Sequence, residues 1–155
     1  MLRRALALAV PAGIIGGVSK ANAQASAQAS AQASAQAGDQ RQAIDALFGK
    51  FAEAYNRKDA EAVAALFTED GILSGPAPMV VGRQAIAQNY KARLDQGFGD
   101  IRFQMQHYDP DGAWAAGGYT VGLPQGAERR GNVTSIFRRQ ADALLIRVHT
   151  FNFIG

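Results

Sequence analysis

Two histidines, His107 and His149, are the side chains of this 155-residue sequence best suited to move a proton near neutral pH. Each sits in a run of alternating character. Ile101, Phe103, Met105 and His107 share one parity, and His149 shares its parity with Phe151 and Phe153. If both runs are strands, both imidazoles face the apolar side, and an acid/base group in a mostly apolar cavity follows. The plainer reading, favoured for each histidine taken alone, is a strand-end imidazole satisfied by a backbone carbonyl or by solvent. Other chemistries lack their residues. With no cysteine, disulfides, thiolate metal sites, a cysteine nucleophile and a lipid anchor on cysteine are excluded. His107-x-Asp109 offers too few ligands for a metal, so neither metal nor cofactor is expected. Neither a glycine-rich phosphate loop before a helix nor a serine elbow is present.

The elements that must position these groups are legible from periodicity. Asp39 with Gln42 reads as a capping box opening a helix, and Ile44, Leu47, Phe48, Phe51 and Tyr55 give it one apolar stripe to about Asn56. A second, short helix follows Asp59 as N-cap and buries Val63, Leu66 and Phe67. Gly71-Ile72-Leu73-Ser74 reads as a strand broken by Gly75-Pro76-Ala77-Pro78. A third helix runs from Arg83 to about Leu94. After Gly99 the period changes to two, and further strands are expected near 113–122, 129–139 and 143–153. Within the first of these, Gly117-Gly118 either opens cavity space or marks a bulge. Parity sets Trp114 on the face opposite Tyr119, where core or dimer packing is its expected role. Helices first and antiparallel strands last give an α+β order.

The start of the chain reads as an address rather than as domain. Met1-Leu2-Arg3-Arg4 is basic, Ala5 to Val18 is mostly apolar, and Ala21-Asn22-Ala23 has the form that signal peptidase cleaves. Residues 1–23 are therefore expected to be a signal peptide, and the protein to be exported to the periplasm or secreted from a bacterial cell. The apolar run, at ~1.5 Å per residue, spans only about 21 Å against a hydrocarbon core of about 30 Å. No membrane association is expected after cleavage. Residues 24–38, built on an Ala-Gln-Ala-Ser repeat, hold no charge and no large apolar side chain, and are expected to be a disordered leader before a domain at 39–155. Arg3, Arg4 and Lys20 all precede Asp39, the first acid, so the net charge of +3 belongs to the leader and the domain balances 13 bases with 13 acids. That gives no support to a nucleic-acid partner.

Asn56-Arg57-Lys58-Asp59 leading into Val63-Ala64-Ala65-Leu66-Phe67-Thr68-Glu69-Asp70-Gly71, and Gly82-Arg83-Gln84-Ala85-Ile86 opening a helix, carry a resemblance. With the late strands Val133–Arg139 and Ile146–Phe151, they resemble the nuclear transport factor 2-like superfamily. The likeness is greatest to its SnoaL-like and ketosteroid-isomerase-like bacterial members, some loosely called oxidoreductases. The resemblance implies a cone-shaped curved antiparallel sheet wrapped around the N-terminal helices, a pocket between them, and a homodimer. It does not fix chemistry, because the superfamily hosts isomerases, dehydratases, cyclases, hydrolases and pure interaction domains.

Laid motif on motif, the tyrosine of a ketosteroid isomerase falls at Phe51, its base at Gly75 and its second aspartate at Ser135. A phenyl ring cannot donate to an enolate and a glycine cannot carry a proton, so that mechanism is not expected. Tyr55, one turn after Phe51, offers a phenol at another depth. The expected pocket lining is Phe51, Tyr55, Met105, Tyr119, Ser135, Phe137 and Phe151, with His107 and His149 as candidate catalytic groups. Three functions stay open: metal-free proton transfer of an isomerase, dehydratase or cyclase type on a small apolar or cyclic molecule, non-catalytic binding of such a molecule, or a protein-interaction module docking through the outer sheet face near Trp114.

Overall fold

The structure, a computed structural model, describes residues 18–154. The compact domain begins at Gln36. Its elements are the C-terminal part of α1 (Val18–Asn56), α2 (Ala60–Ala65), β1 (Phe67–Ser74), β2 (Val80–Val81), α3 (Arg83–Asp95), β3 (Gly99–Tyr108), β4 (Trp114–Gly122), β5 (Glu128–Gln140) and β6 (Ala143–Phe153). The six strands make one curved sheet in the order β2-β1-β6-β5-β4-β3, antiparallel except where β1 lies parallel to β6. This is the α+β architecture that the order of periodicities implies.

Side-chain spacing explains which faces meet. Ile44, Leu47, Phe48, Phe51 and Tyr55 form the buried stripe of α1, and α3 adds Ile86, Tyr90 and Leu94. Against them the sheet presents Ile101, Ala115, Tyr119, Val121, Val133, Phe137, Ile146 and Phe151 from alternate positions. Asp59 caps α2, its Oδ1 accepting from the Ala62 amide at 2.9 Å.

The motif residues act as fasteners between elements. Asn56 ends α1 by gripping the start of β3, its Nδ2 donating to the Ile101 carbonyl at 3.1 Å and its Oδ1 accepting from the Ile101 amide at 2.8 Å. Arg83, at the start of α3, donates to the Phe67 carbonyl from Nε at 3.0 Å and from a terminal nitrogen at 2.6 Å. Such fasteners place the helices on the sheet whatever the pocket contains.

Two expectations are corrected at the N-terminus. Asp39 is not a helix start, because α1 already runs through it from Val18. The Ala-Gln-Ala-Ser repeat is helical rather than disordered, with its side chains exposed. Alanine and glutamine favour helix, and the hydroxyls of Ser26, Ser30 and Ser34, each donating to the carbonyl four residues back at 2.8–2.9 Å, are accommodated within it. Most of the expected signal peptide lies outside the described residues.

Candidate functional site

His149 lies on the inner face of β6, 3% exposed, directly across from Ser135 of β5. Ser135 Oγ and His149 Nδ1 are 2.8 Å apart. Ser135 has no other hydrogen-bond partner among the described residues, so the assignment that leaves no buried hydroxyl proton stranded has Oγ–H donating to Nδ1. The ring then carries its own proton on Nε2, as a donor.

An aromatic box surrounds this imidazole. Phe51 stacks on it at 5.4 Å between centroids and 26° between planes, and Phe67, Phe103 and Phe151 stand 6.0–6.4 Å away. Burial disfavours the charged ring and, with the Arg93 guanidinium as a smaller cause, pushes the His149 pKa down to about 3. The imidazole is therefore neutral at physiological pH.

A chamber of about 30 Å³ opens beside it, lined by Phe51, Tyr55, Tyr90, Phe103, Tyr119 and Phe151 and closed on one side by Arg93, Phe98 and Phe153. That is room for one or two waters. Burial raises the pKa of the Tyr55 and Tyr119 phenols to about 12, and moves Tyr90 in the same direction, with Arg93 pulling each back. All three phenols hold their protons at neutral pH. Tyr119 is committed to the Asn152 carbonyl at 3.4 Å, whereas Tyr55 and Tyr90, each under 5% exposed, have no protein hydrogen-bond partner among the described residues. The chamber thus gathers two free phenols, a neutral imidazole and one cation.

Of the expected lining, Phe51, Tyr55, Tyr119, Phe151 and His149 meet here. The rest do not. Ser135 lies behind His149, and Phe137 packs on Phe48 at 6.2 Å. Met105 sits in the seam between β3 and α1, with Phe48 and Ala52.

His107 is exposed, and the expectation that it shares the pocket is wrong. The register of β3 against β4 slips between Met105 and His107: Met105 pairs with Gly117 but His107 pairs with Ala116. The extra residue reverses parity, so Tyr108 turns inward and its hydroxyl donates to Asp45 at 2.5 Å. His107 is left in an open surface depression with Arg41 and Trp114. The two histidines do not form an acid/base pair.

The positions that match isomerase acids converge on the same rings. Phe51 stacks on His149 and Ser135 bonds it, while a Cβ placed on Gly75 would stand 2.5 Å from Phe151 Cζ. The ring of Phe151 fills the space into which a side chain at residue 75 would project. Arg93, Tyr90 and Phe98 are not in the expected lining, and neither is Phe153, although parity sets it beside His149. Arg93 and Tyr90 lie three residues apart on α3, one helical turn, which sets them on one face.

The model of the SnoaL-like domain matches residues 48–148. Among solved structures, a ketosteroid isomerase-like protein from Erwinia carotovora atroseptica is 23% identical over 73% of this chain and 95% of its own, with a TM-score of 0.61. An NTF-2 like protein of unknown function from Shewanella oneidensis is 17% identical over 72% and 98%, with a TM-score of 0.61. ActVI-ORFA from Streptomyces coelicolor is 20% identical over 73% and 96%, with a TM-score of 0.58. No curated protein matches the chain. These likenesses establish the fold and leave the chemistry to the site. The chain belongs to the SnoaL-like domain family.

Proposed function

We propose that the domain binds a small cyclic, mostly apolar molecule carrying one polar group, and that it does so as a binder rather than as a histidine-driven catalyst. The observation that supports this is the pair of buried phenols, Tyr55 and Tyr90, left without protein partners beside a neutral imidazole in an aromatic wall. Both residues line the chamber and their hydroxyls are not sealed off, the fully buried oxygens without a partner among the described residues being Thr68 Oγ1 and Thr120 Oγ1, so a ligand oxygen can replace water as their partner. A base whose conjugate acid has a pKa of about 3 holds a proton poorly at pH 7, and no second histidine stands by to return it. His149 is therefore better suited to orient a ligand than to deprotonate it. The pattern of residues 1–23 supports export, with the ligand met outside the cytoplasm.

A titration with 2-naphthol and with 2-methylnaphthalene tests this, because the two share a body and differ in hydroxyl against methyl. Both should shift the imidazole NMR signals of His149, and 2-naphthol should bind more tightly. Tyr90→Phe, which removes only an oxygen, should weaken 2-naphthol about fivefold and leave 2-methylnaphthalene unchanged. If neither compound moves the His149 signals at saturating concentration, the pocket is not a ligand site.

A second reading, a homodimer through the sheet, is favoured by the outer face. Trp114, Ile136, Val148, Ile72 and Val81 are successive cross-strand partners from β4 to β2, and Trp114, Ile136 and Val81 are 41–56% exposed. A continuous apolar row across five strands suits a second copy of the same row. Light scattering should show a dimer in the native protein and a monomer in Ile136→Lys. A native monomer at high concentration would remove this reading and leave the pocket untouched.

A further inference from the structure

The inner chamber does not stand alone. On the other side of Arg93, Phe98 and Phe153 lies an open depression of about 440 Å³, bordered by Pro76, Ala77 and Gln96. The three side chains line both spaces, so they form an incomplete partition between a water-sized, partly open chamber and a much larger outer trough. A ring does not fit the chamber as it stands, but the head of a ligand does, with its body in the trough.

The character of the partition selects that head. Arg93 is half-buried in the last turn of α3, its guanidinium 4.8 Å above the Phe151 ring. Its Nε is fixed by Asn89 Oδ1 at 3.1 Å, and among the described residues no carboxylate pairs with it. The two terminal nitrogens are thus free to act as a fork. No carboxylate lines either the chamber or the trough, and of the other polar groups at the chamber the Tyr55 and Tyr90 phenols and the neutral imidazole are free to donate. A half-buried cation on a wall without acids favours an anion, and a planar fork matches a carboxylate.

We propose that Arg93 anchors an organic acid, whose carboxylate enters the chamber between Arg93 and the Tyr55 and Tyr90 hydroxyls while its apolar body lies in the trough along Phe98 and Phe153. This rests on the reading of the pocket as a ligand site and names the ligand class. The body makes apolar contact and the head supplies orientation. Opposite charge and donor count act at one end only, so neutral analogues of the same shape lose the head contact and keep the rest.

The test compares 2-naphthoate with 2-naphthamide at pH 7, followed by calorimetry and by NMR of the chamber residues. The native protein should prefer the acid by about tenfold or more, the range expected for a charge-assisted hydrogen bond. Arg93→Gln should abolish that preference while keeping the affinity for the amide, and Arg93→Lys should retain part of it. Unchanged thermal unfolding of both variants shows that they are folded. Equal binding of acid and amide by the native protein would overturn the anion anchor and leave the ligand site standing. An undiminished preference in Arg93→Gln would overturn Arg93 as its source. Binding of neither probe would overturn the ligand site itself, and the anchor with it.

Discussion

Strands β3 and β6 each carry one histidine and both are interrupted by register slips, yet only β6 delivers its imidazole to the pocket. In β6 the slip falls between Ile146 and Val148, ahead of His149, so His149, Phe151 and Phe153 keep a common parity. In β3 one slip falls between Gly99 and Arg102 and a second between Met105 and His107, and the second separates the histidine from the residues that set its expected side. A bulge costs a parity argument only when it lies between the reference residue and the residue inferred. The surroundings diverge accordingly, with a shell of rings at 5.4–6.4 Å around His149 and an open depression around His107.

The largest expected effect comes from breaking the shell on the β6 side. Phe51 is fully buried and its ring lies within 5.1–6.5 Å of Phe48, Tyr55, Phe67, Tyr90, Phe103 and His149. Phe51→Ala should destabilise the domain by ~3–5 kcal/mol, measured by denaturant unfolding. A loss below about 1 kcal/mol would show that the shell is loosely packed. Phe51→Tyr combined with Gly75→Asp should not create steroid isomerase activity, because Phe151 occupies the space that the new carboxylate needs.

The next effect is one of pH. The folded His149 has a pKa far below its unfolded value of ~6.5, because burial penalises the imidazolium and Arg93 adds to the penalty. Below ~6.5 the unfolded chain therefore binds a proton that the folded chain refuses, and stability falls with falling pH until the folded pKa is reached. The slope from this one group is at most ~1.4 kcal/mol per pH unit. The facing phenols from α1, α3 and β4, namely Tyr55, Tyr90 and Tyr119, keep their protons across that range, and the charged group facing the ring is Arg93 on α3. His149→Gln should flatten the slope between about pH 6 and pH 4 relative to the native protein. An unchanged slope would show that the ring is not buried in its neutral form.

How much of this was legible in the sequence follows from the same contrast. The helix stripe of α1, the Asp59 cap and all four late strands could be read, because 3.6-residue and two-residue periods are local signals. The pocket side of His149, Phe151, Tyr119, Phe51 and Tyr55 was readable for the same reason. Arg93 was not, since a charged residue in the last turn of a helix reads as solvated, and only the packing of Asn89 and Phe151 around it turns it toward a cavity. The repeat departs from the expected disorder because Ala-rich propensity acts without a core, and the helix of the domain continues through it. Cα register, which decides His107, depends on a partner strand and has no period of its own.

One sequence signal did bear on that register, and it gives the smallest and sharpest test of the comparison. Gly117-Gly118 was open to two readings, cavity or bulge, and the structure assigns Gly117 to the bulge: a Cβ there would stand 2.3 Å from the Gln104 carbonyl oxygen and 2.6 Å from Met105 Cα. The bulged backbone of β3 has closed onto the missing side chain. Because both obstructing atoms are backbone, neither can rotate away, and Gly117→Ala should force β3 outward at a cost of ~1–3 kcal/mol. The disturbance should register in the amide signals of Met105 to Tyr108 and in the Tyr108–Asp45 hydrogen bond, while the His149 ring signals stay in place. His107→Ala, by contrast, removes an exposed side chain and should stay within about 0.5 kcal/mol of the native protein. If Gly117→Ala were silent while His107→Ala was costly, β3 would have to run unbulged with His107 facing inward, and the two strands would be equivalent after all.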